Sequence, residues 1–180
     1  FEAVKTSKTL EWLKKRGARH LQIIPIDNPL AEPFDPVFLG FHLKEQNEVS
    51  LLALKKTAGL DKLGGLVLEK NRLRVVEYLH LPGALKCSYF NTGLLIFSLA
   101  FLENHTFDLP VYRILKETVF QGRKRKVYKS EQFIFDALEY ARKASALACP
   151  QGQCFAPLKD RSSLKAIRRF FLQSCDSIYL

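Results

Sequence analysis

Short apolar runs of strand type alternate along this chain with stretches whose apolar residues recur at helical spacing, and few architectures accommodate that alternation. The runs His20 to Ile26, Val49 to Leu54, Ser88 to Phe97 and Ala146 to Cys149 read as strands, the first closing at Asp27, Asn28 and Pro29. Glu2 to Arg16 reads as one helix, with Leu10 and Leu13 on one side, lysines on the other, and Gly17 as its stop signal. Asp35 before Pro36 is an N-cap followed by proline at the first helical position, which predicts a helix from Pro36 to Glu45. A short helix follows the third strand and ends near Asn104. Ser130 is expected to cap a helix burying Phe133, Ile134, Ala137, Leu138 and Ala141, and a last helix, Ser163 to Ser174, to bury Leu164, Ile167 and Phe171. Leu66 to Glu69 and Leu73 to Tyr78, punctuated by Gly64-Gly65 and Lys70-Asn71, read as an inserted hairpin. The sum is an α/β sandwich around a mostly parallel sheet.

With 180 residues, 47% hydrophobic and 26% charged, the chain can bury the core of a single α/β domain spanning residues 1–180. Its most apolar stretch, Leu94 to Leu102, is far shorter than the roughly 18 residues of a membrane span. Glu2, Lys5 and Lys8 break any leader-like apolar run. No membrane association and a cytoplasmic location are therefore expected. Of the four cysteines only Cys149 and Cys154 are close in sequence, with no second pair to complete a zinc signature; reduced thiols are expected. A net charge of +10 suits anionic partners: nucleotides, sugar phosphates, nucleic acids or acidic lipids. The start at Phe1 and the absence of methionine suggest a piece of a longer protein.

In an open α/β sheet ligands gather beyond the carboxyl ends of strands, which is where Asp27 and Asn28 fall. The carboxylate could hold a magnesium ion bridging phosphates, and the amide could bind a nucleotide or sugar hydroxyl. Local sequence alone favours a plain turn before Pro29.

Five ordered blocks carry a resemblance. "IPIDNPLAEPFDPVFLGF", "KKTAGLDKLGGLVLEKNRLRVVEY", "YFNTGLLIFS", "SEQFIFDALEYA" and "CFAPLKDRSS" resemble successive segments of the eukaryotic-type UDP-N-acetylhexosamine pyrophosphorylases. The resemblance implies a Rossmann-like nucleotidyltransferase core, of which this chain is the central to C-terminal part. It implies an activity that joins UTP to N-acetylglucosamine 1-phosphate, releasing pyrophosphate and a UDP-sugar with the help of Mg2+. Residue by residue, it implies that Asp27 lies beside the metal and phosphates and that Asn28 contacts the ligand. Glu77 would accept hydrogen bonds from sugar hydroxyls, Asn91 would bind the N-acetyl or hydroxyl groups, and Lys159 would be the catalytic cation pairing with phosphate. Each has a plainer reading: Glu77 as an outward strand residue, Asn91 as a turn or satisfied amide, Lys159 as a surface ion pair with Asp160.

Two departures stand out. The second Asn of the family's "NAGN" pattern is Leu94 here, and the family's Gly-rich loop has no counterpart in these residues, so this polypeptide alone is expected to be inactive. Within the enzyme class the alternative is a UDP-glucose pyrophosphorylase. From a different class, Arg123, Lys124, Arg125 and Lys126, with Lys129, Arg168 and Arg169, could form a nucleic-acid-binding module. The cluster reads better as a solvated loop, because the aromatics do not interleave with it; no nucleic-acid partner is expected.

Overall fold

A computed structural model describes residues 1–55, 63–78, 87–161, 163–165, 167–168 and 171. Its centre is a six-stranded sheet in the order β4-β3-β5-β2-β8, with β1 also paired to β5. The strands are β1 (His20–Ile23), β2 (Val49–Lys55), β3 (Gly65–Glu69), β4 (Arg72–Val76), β5 (Tyr89–Ser98) and β8 (Ala144–Cys149); β6 (Tyr112–Phe120) and β7 (Arg123–Glu131) form a separate two-stranded ribbon. The helices are α1 (Glu2–Thr6), α2 (Thr9–Lys15), α3 (Pro36–Lys44), α4 (Leu99–Asn104) and α5 (Gln151–Cys154), with a 3-10 helix at Ile134–Tyr140.

Two strands form the spine of the sheet because neither has a polar face. In β2, Val49, Leu51 and Ala53 enter one core with Leu95 and Phe97 of β5. Leu52 and Leu54 enter a second core on the opposite face, with Phe90, Leu94 and Ile96 of β5. Period-two alternation with both faces apolar requires cover on both sides. α2, α4 and the 3-10 helix contribute Leu10, Phe101 and Leu138 to the first core; Phe38 of α3 and Phe155 close the second.

The α/β class is as expected, but the sheet is mixed rather than mostly parallel. Among the described residues only β2 and β8 pair in parallel, while β5 runs against β1, β2 and β3, and β3 against β4. Strand direction follows the connections. Here β5 lies between strands that all point the other way, which apolar runs in a sequence do not reveal.

Elements differ from expectation where side chains compete with the backbone. The single N-terminal helix is two, broken at Lys8, whose φ is 59°. Thr6 Oγ1 donates to the Glu2 carbonyl at 2.9 Å and the hydroxyls of Ser7 and Thr9 meet at 2.7 Å, local bonds that favour a break. β1 stops at Ile23, short of Pro25, which has no N–H for a ladder. α3 forms as read, with the Asp35 carboxylate accepting from the N–H groups of Val37 and Phe38. The hairpin β3–β4 turns on Lys70 (φ 47°) and Asn71 (φ 62°), two left-handed residues that match the twist of the strands.

Ser130 caps no helix: it lies in β7, opposite Arg113 of β6. The apolar residues after it fall three apart (134, 137 and 135, 138, 141), a spacing that suits the tighter 3-10 helix. The basic cluster Arg123–Lys126 is likewise strand rather than loop, turned back from β6 by Gln121 (φ 49°) and Gly122 (φ 72°). Of the last helix, residues 163–165, 167–168 and 171 are helical; Ile167 is buried, whereas Leu164 and Phe171 are exposed against expectation. The remainder of that helix, with Arg169, lies outside the described residues. No described helix is long and apolar enough to cross a membrane.

Candidate functional site

β5 carries more residues than β2 can match. Leu51 faces Leu95 and Ala53 faces Asn91, so four steps along β5 oppose two along β2. The surplus is a bulge centred on Gly93, whose φ of +80° is strained for any other residue. Thr92 secures it, its Oγ1 donating to the Leu52 carbonyl at 2.7 Å and accepting from the Leu94 N–H at 3.1 Å. Asn91 Oδ1 accepts from the Gly93 N–H at 3.0 Å. That bond fixes the amide so that its Nδ2 is the group left to donate outward. Below the bulge β5 pairs with β1; above it, Phe90 pairs with Gly65 of β3. The sheet therefore parts between the end of β1 and the start of β3.

A cavity of about 180 Å³ fills this gap, lined by Pro25 and Asp27 after β1, Gly64 before β3, Glu77 after β4, Asn91, Thr92 and Gly93 of the bulge, and Phe155, Pro157 and Lys159. It is smaller than the roughly 300 Å³ at which ligand pockets usually begin, so it suits one moiety of a larger ligand. Both glycines are required by close approach. A Cβ on Gly93 would stand 2.8 Å from Pro25 Cγ, and one on Gly64 would stand 2.8 Å from Val75 Cγ1 and 3.2 Å from Glu77 Oε1.

The 155–159 segment reaches the cavity because the Asp27–Asn28 turn holds it. Asn28 is 3% exposed, and its Nδ2 donates to the Cys154 carbonyl at 2.8 Å. Its Oδ1 accepts from the Ala156 N–H at 3.0 Å, and the Leu158 N–H donates to the Asp27 carbonyl at 2.6 Å. Beyond it, Ser163 Oγ accepts from the N–H groups of Lys159 and Asp160, both at 3.1 Å. Cys149 and Cys154, expected as reduced thiols, face each other across the single turn of α5, their Cα atoms 6.5 Å apart.

The structure thus brings Asp27, Glu77, Asn91 and Lys159 to one cavity and leaves Asn28 out of its lining, facing the protein. Leu94, at the family's second Asn position, is 1% exposed in the second core and outside the lining. Sequence reasoning missed Pro25, Gly64, Thr92 and Gly93. The Gly64-Gly65 pair reads in sequence only as hairpin punctuation, and the Thr-Gly after Asn91 was the available sign of a bulge.

Among the described lining residues, two carboxylates and one ammonium sum to a formal charge of −1. A phosphate would be repelled unless a cation accompanied it. Magnesium, which uses one or two carboxylates and completes its shell with water and substrate phosphate, fits such a donor set, in which Asp27 could serve as the protein ligand. No group of three or more His, Cys, Asp or Glu that could hold a metal by itself occurs among the described residues.

A mixed sheet opened by a bulge into a cavity of carboxylates, amide and ammonium defines an α/β protein with a polar, charged candidate site. The chain belongs to the UTP--glucose-1-phosphate uridylyltransferase family, whose model matches residues 1–177. It is 28% identical over 182 residues to UDP-N-acetylglucosamine diphosphorylase 2 of Arabidopsis thaliana, covering 89% of this chain and 35% of the relative. To UDP-N-acetylglucosamine pyrophosphorylase of Saccharomyces cerevisiae it is 26% identical over 186 residues, covering 89% and 39%. The chain therefore spans little more than a third of the length of these relatives. Its fold superposes on a crystal structure assigned as UDP-N-acetylglucosamine pyrophosphorylase from Entamoeba histolytica with a TM-score of 0.82 at 24% identity, covering 95% of this chain and 48% of that one. On a point mutant of Leishmania major UDP-glucose pyrophosphorylase in complex with UDP-glucose, the TM-score is 0.73 at 28% identity, covering 92% and 40%.

Proposed function

We propose that this chain forms the sugar-phosphate-binding part of a cytoplasmic uridylyltransferase that joins UTP and N-acetylglucosamine 1-phosphate to give UDP-N-acetylglucosamine and pyrophosphate. The observation that carries this reading is the meeting of Asp27, Glu77, Asn91 and Lys159, far apart in sequence, in one cavity. The names of the Arabidopsis and yeast relatives support N-acetylglucosamine; the superposition on UDP-glucose pyrophosphorylase supports glucose as the second choice.

In the proposed reaction a phosphate oxygen of the sugar 1-phosphate attacks the α-phosphorus of UTP in line, and the bond to the departing pyrophosphate breaks. No covalent enzyme intermediate is required; the protein's part is to hold two anions together and offset the charge that crowds the transition state. Glu77 accepts from sugar hydroxyls and Asn91 Nδ2 donates to a hydroxyl or acetyl oxygen. Lys159 places an ammonium against the phosphate. Magnesium, when bound near Asp27, neutralises phosphate charge.

Calorimetric titration with N-acetylglucosamine 1-phosphate and magnesium tests the assignment. Lys159→Ala should weaken binding by about ten- to a hundredfold, the loss of a charge-assisted contact, with an unchanged melting temperature. In the full-length protein the same change should lower turnover by about 10². Binding equal to wild type would remove Lys159 from the site.

A further inference from the structure

Asn28 sits where sequence reasoning expects a ligand contact, yet its amide faces the protein. Donor and acceptor are both used on the backbone of one segment, at Cys154 and Ala156, and the neighbouring Asp27 carbonyl takes the N–H of Leu158. Three hydrogen bonds from two adjacent residues thus span residues 154 to 158, and the next residue is Lys159. A carboxamide meets this demand because it presents one donor and one acceptor side by side.

We infer that Asn28 is a positioning residue: it latches the 154–158 segment onto the strand end that bears Asp27, and so fixes Lys159 in the cavity. The inference rests on the reading of that cavity as a sugar-phosphate site and assigns Asn28 a role other than touching the ligand. The latch couples the two halves of the site. Asp27 arrives from β1 and Lys159 from beyond β8. Among the described residues no strand pairing joins those two strands, since β1 pairs with β5 and β8 with β2. Without the amide, the Asp27–Asn28 turn would lose two of the three hydrogen bonds that join it to the 154–158 segment among the described residues, keeping that of Leu158.

The experiment combines amide hydrogen exchange with titration by N-acetylglucosamine 1-phosphate on the 180-residue chain, as wild type, Asn28→Ala, Asn28→Asp, Lys159→Ala and the Asn28→Ala/Lys159→Ala double variant. In Asn28→Ala the amides of Ala156 and Leu158 should exchange at least about tenfold faster, while those of Leu51 and Leu95 keep their protection. Affinity should fall about tenfold, and Lys159→Ala should cost little more in that background, because the two changes remove one contact. Asn28→Asp keeps the acceptor for Ala156 but loses the donor. Exchange at Ala156 should therefore rise less in Asn28→Asp than in Asn28→Ala. Unchanged exchange at Ala156 and Leu158, or an undiminished cost of Lys159→Ala, would overturn the latch. So would protection lost equally at Leu51 and Leu95, which marks general support of the fold. If wild type binds no sugar phosphate while Asn28→Ala still frees Ala156 and Leu158 alone, the latch stands and the proposed ligand falls.

Discussion

Gly93 allows the bulge and the close approach of Pro25 at once, so its replacement is penalised twice. Gly93→Ala must hold φ near +80° and displace a proline ring 2.8 Å from the new Cβ. A loss of about 2 kcal/mol or more is expected by denaturant unfolding, with weaker sugar-phosphate binding, since Asn91 is oriented by the Gly93 N–H. A buried base and a buried acid elsewhere set the pH dependence of stability in opposite directions. His42, buried and near His20, has its pKa lowered from 6.5 to about 4 by burial and then by that neighbour. The unfolded chain therefore takes up this proton near pH 6.5 and the folded one does not, so stability is lost as pH falls from 6.5 towards 4. Asp136, pushed up from 3.8 to about 6 mainly by burial, keeps its proton when folded, and stability is lost as pH rises from 3.8 through 6. The two contributions oppose each other between about pH 4 and 6. Asp136→Asn should leave a melting temperature that climbs steadily from about pH 4 to 6.5, and His42→Gln one that declines from about pH 4 to 6. Curves that keep the wild-type shape in both variants would refute the assignment.

The β6–β7 ribbon is the element least attached to the rest. Among the described residues its two strands pair only with each other, and Leu115, Val119, Phe120 and Tyr128 are exposed. A lone hairpin contributes little to a sheet it does not join. Replacing residues 115–128 by a short Gly-Ser turn should therefore shift the melting temperature of the chain by less than about 4 °C, the equivalent of under 1 kcal/mol. A large drop would show that the ribbon braces the core. This element also marks where sequence reading fails. A run such as Arg123–Lys126 shows no hydrophobic alternation, so its strand character rests on the Gln121-Gly122 turn and on pairing with β6. β2 and α3 were legible because burial and an N-cap write themselves into local sequence, at Val49 to Leu54 and at Asp35-Pro36. The direction of β5 and the break at Lys8 depend on connections and side-chain bonds that no local pattern displays.

For the whole molecule, the candidate site was legible through resemblance rather than periodicity. Asp27, Glu77, Asn91 and Lys159 stand in the motif blocks, and the fold supplies the reason they meet: one bulge parts the sheet, and one turn holds the segment that bears the lysine. What the blocks did not show was the different placement of Asp27 and Asn28, since a residue lining the cavity and one bonded to the protein look alike in a motif. Amide chemical-shift mapping of the chain with N-acetylglucosamine 1-phosphate and magnesium addresses the account as a whole. Saturable shifts should concentrate on Gly64, Asn91, Thr92, Gly93 and Lys159, and should vanish in a Glu77→Gln/Lys159→Ala variant. Shifts confined to the β6–β7 ribbon, or unchanged in that variant, would contradict it.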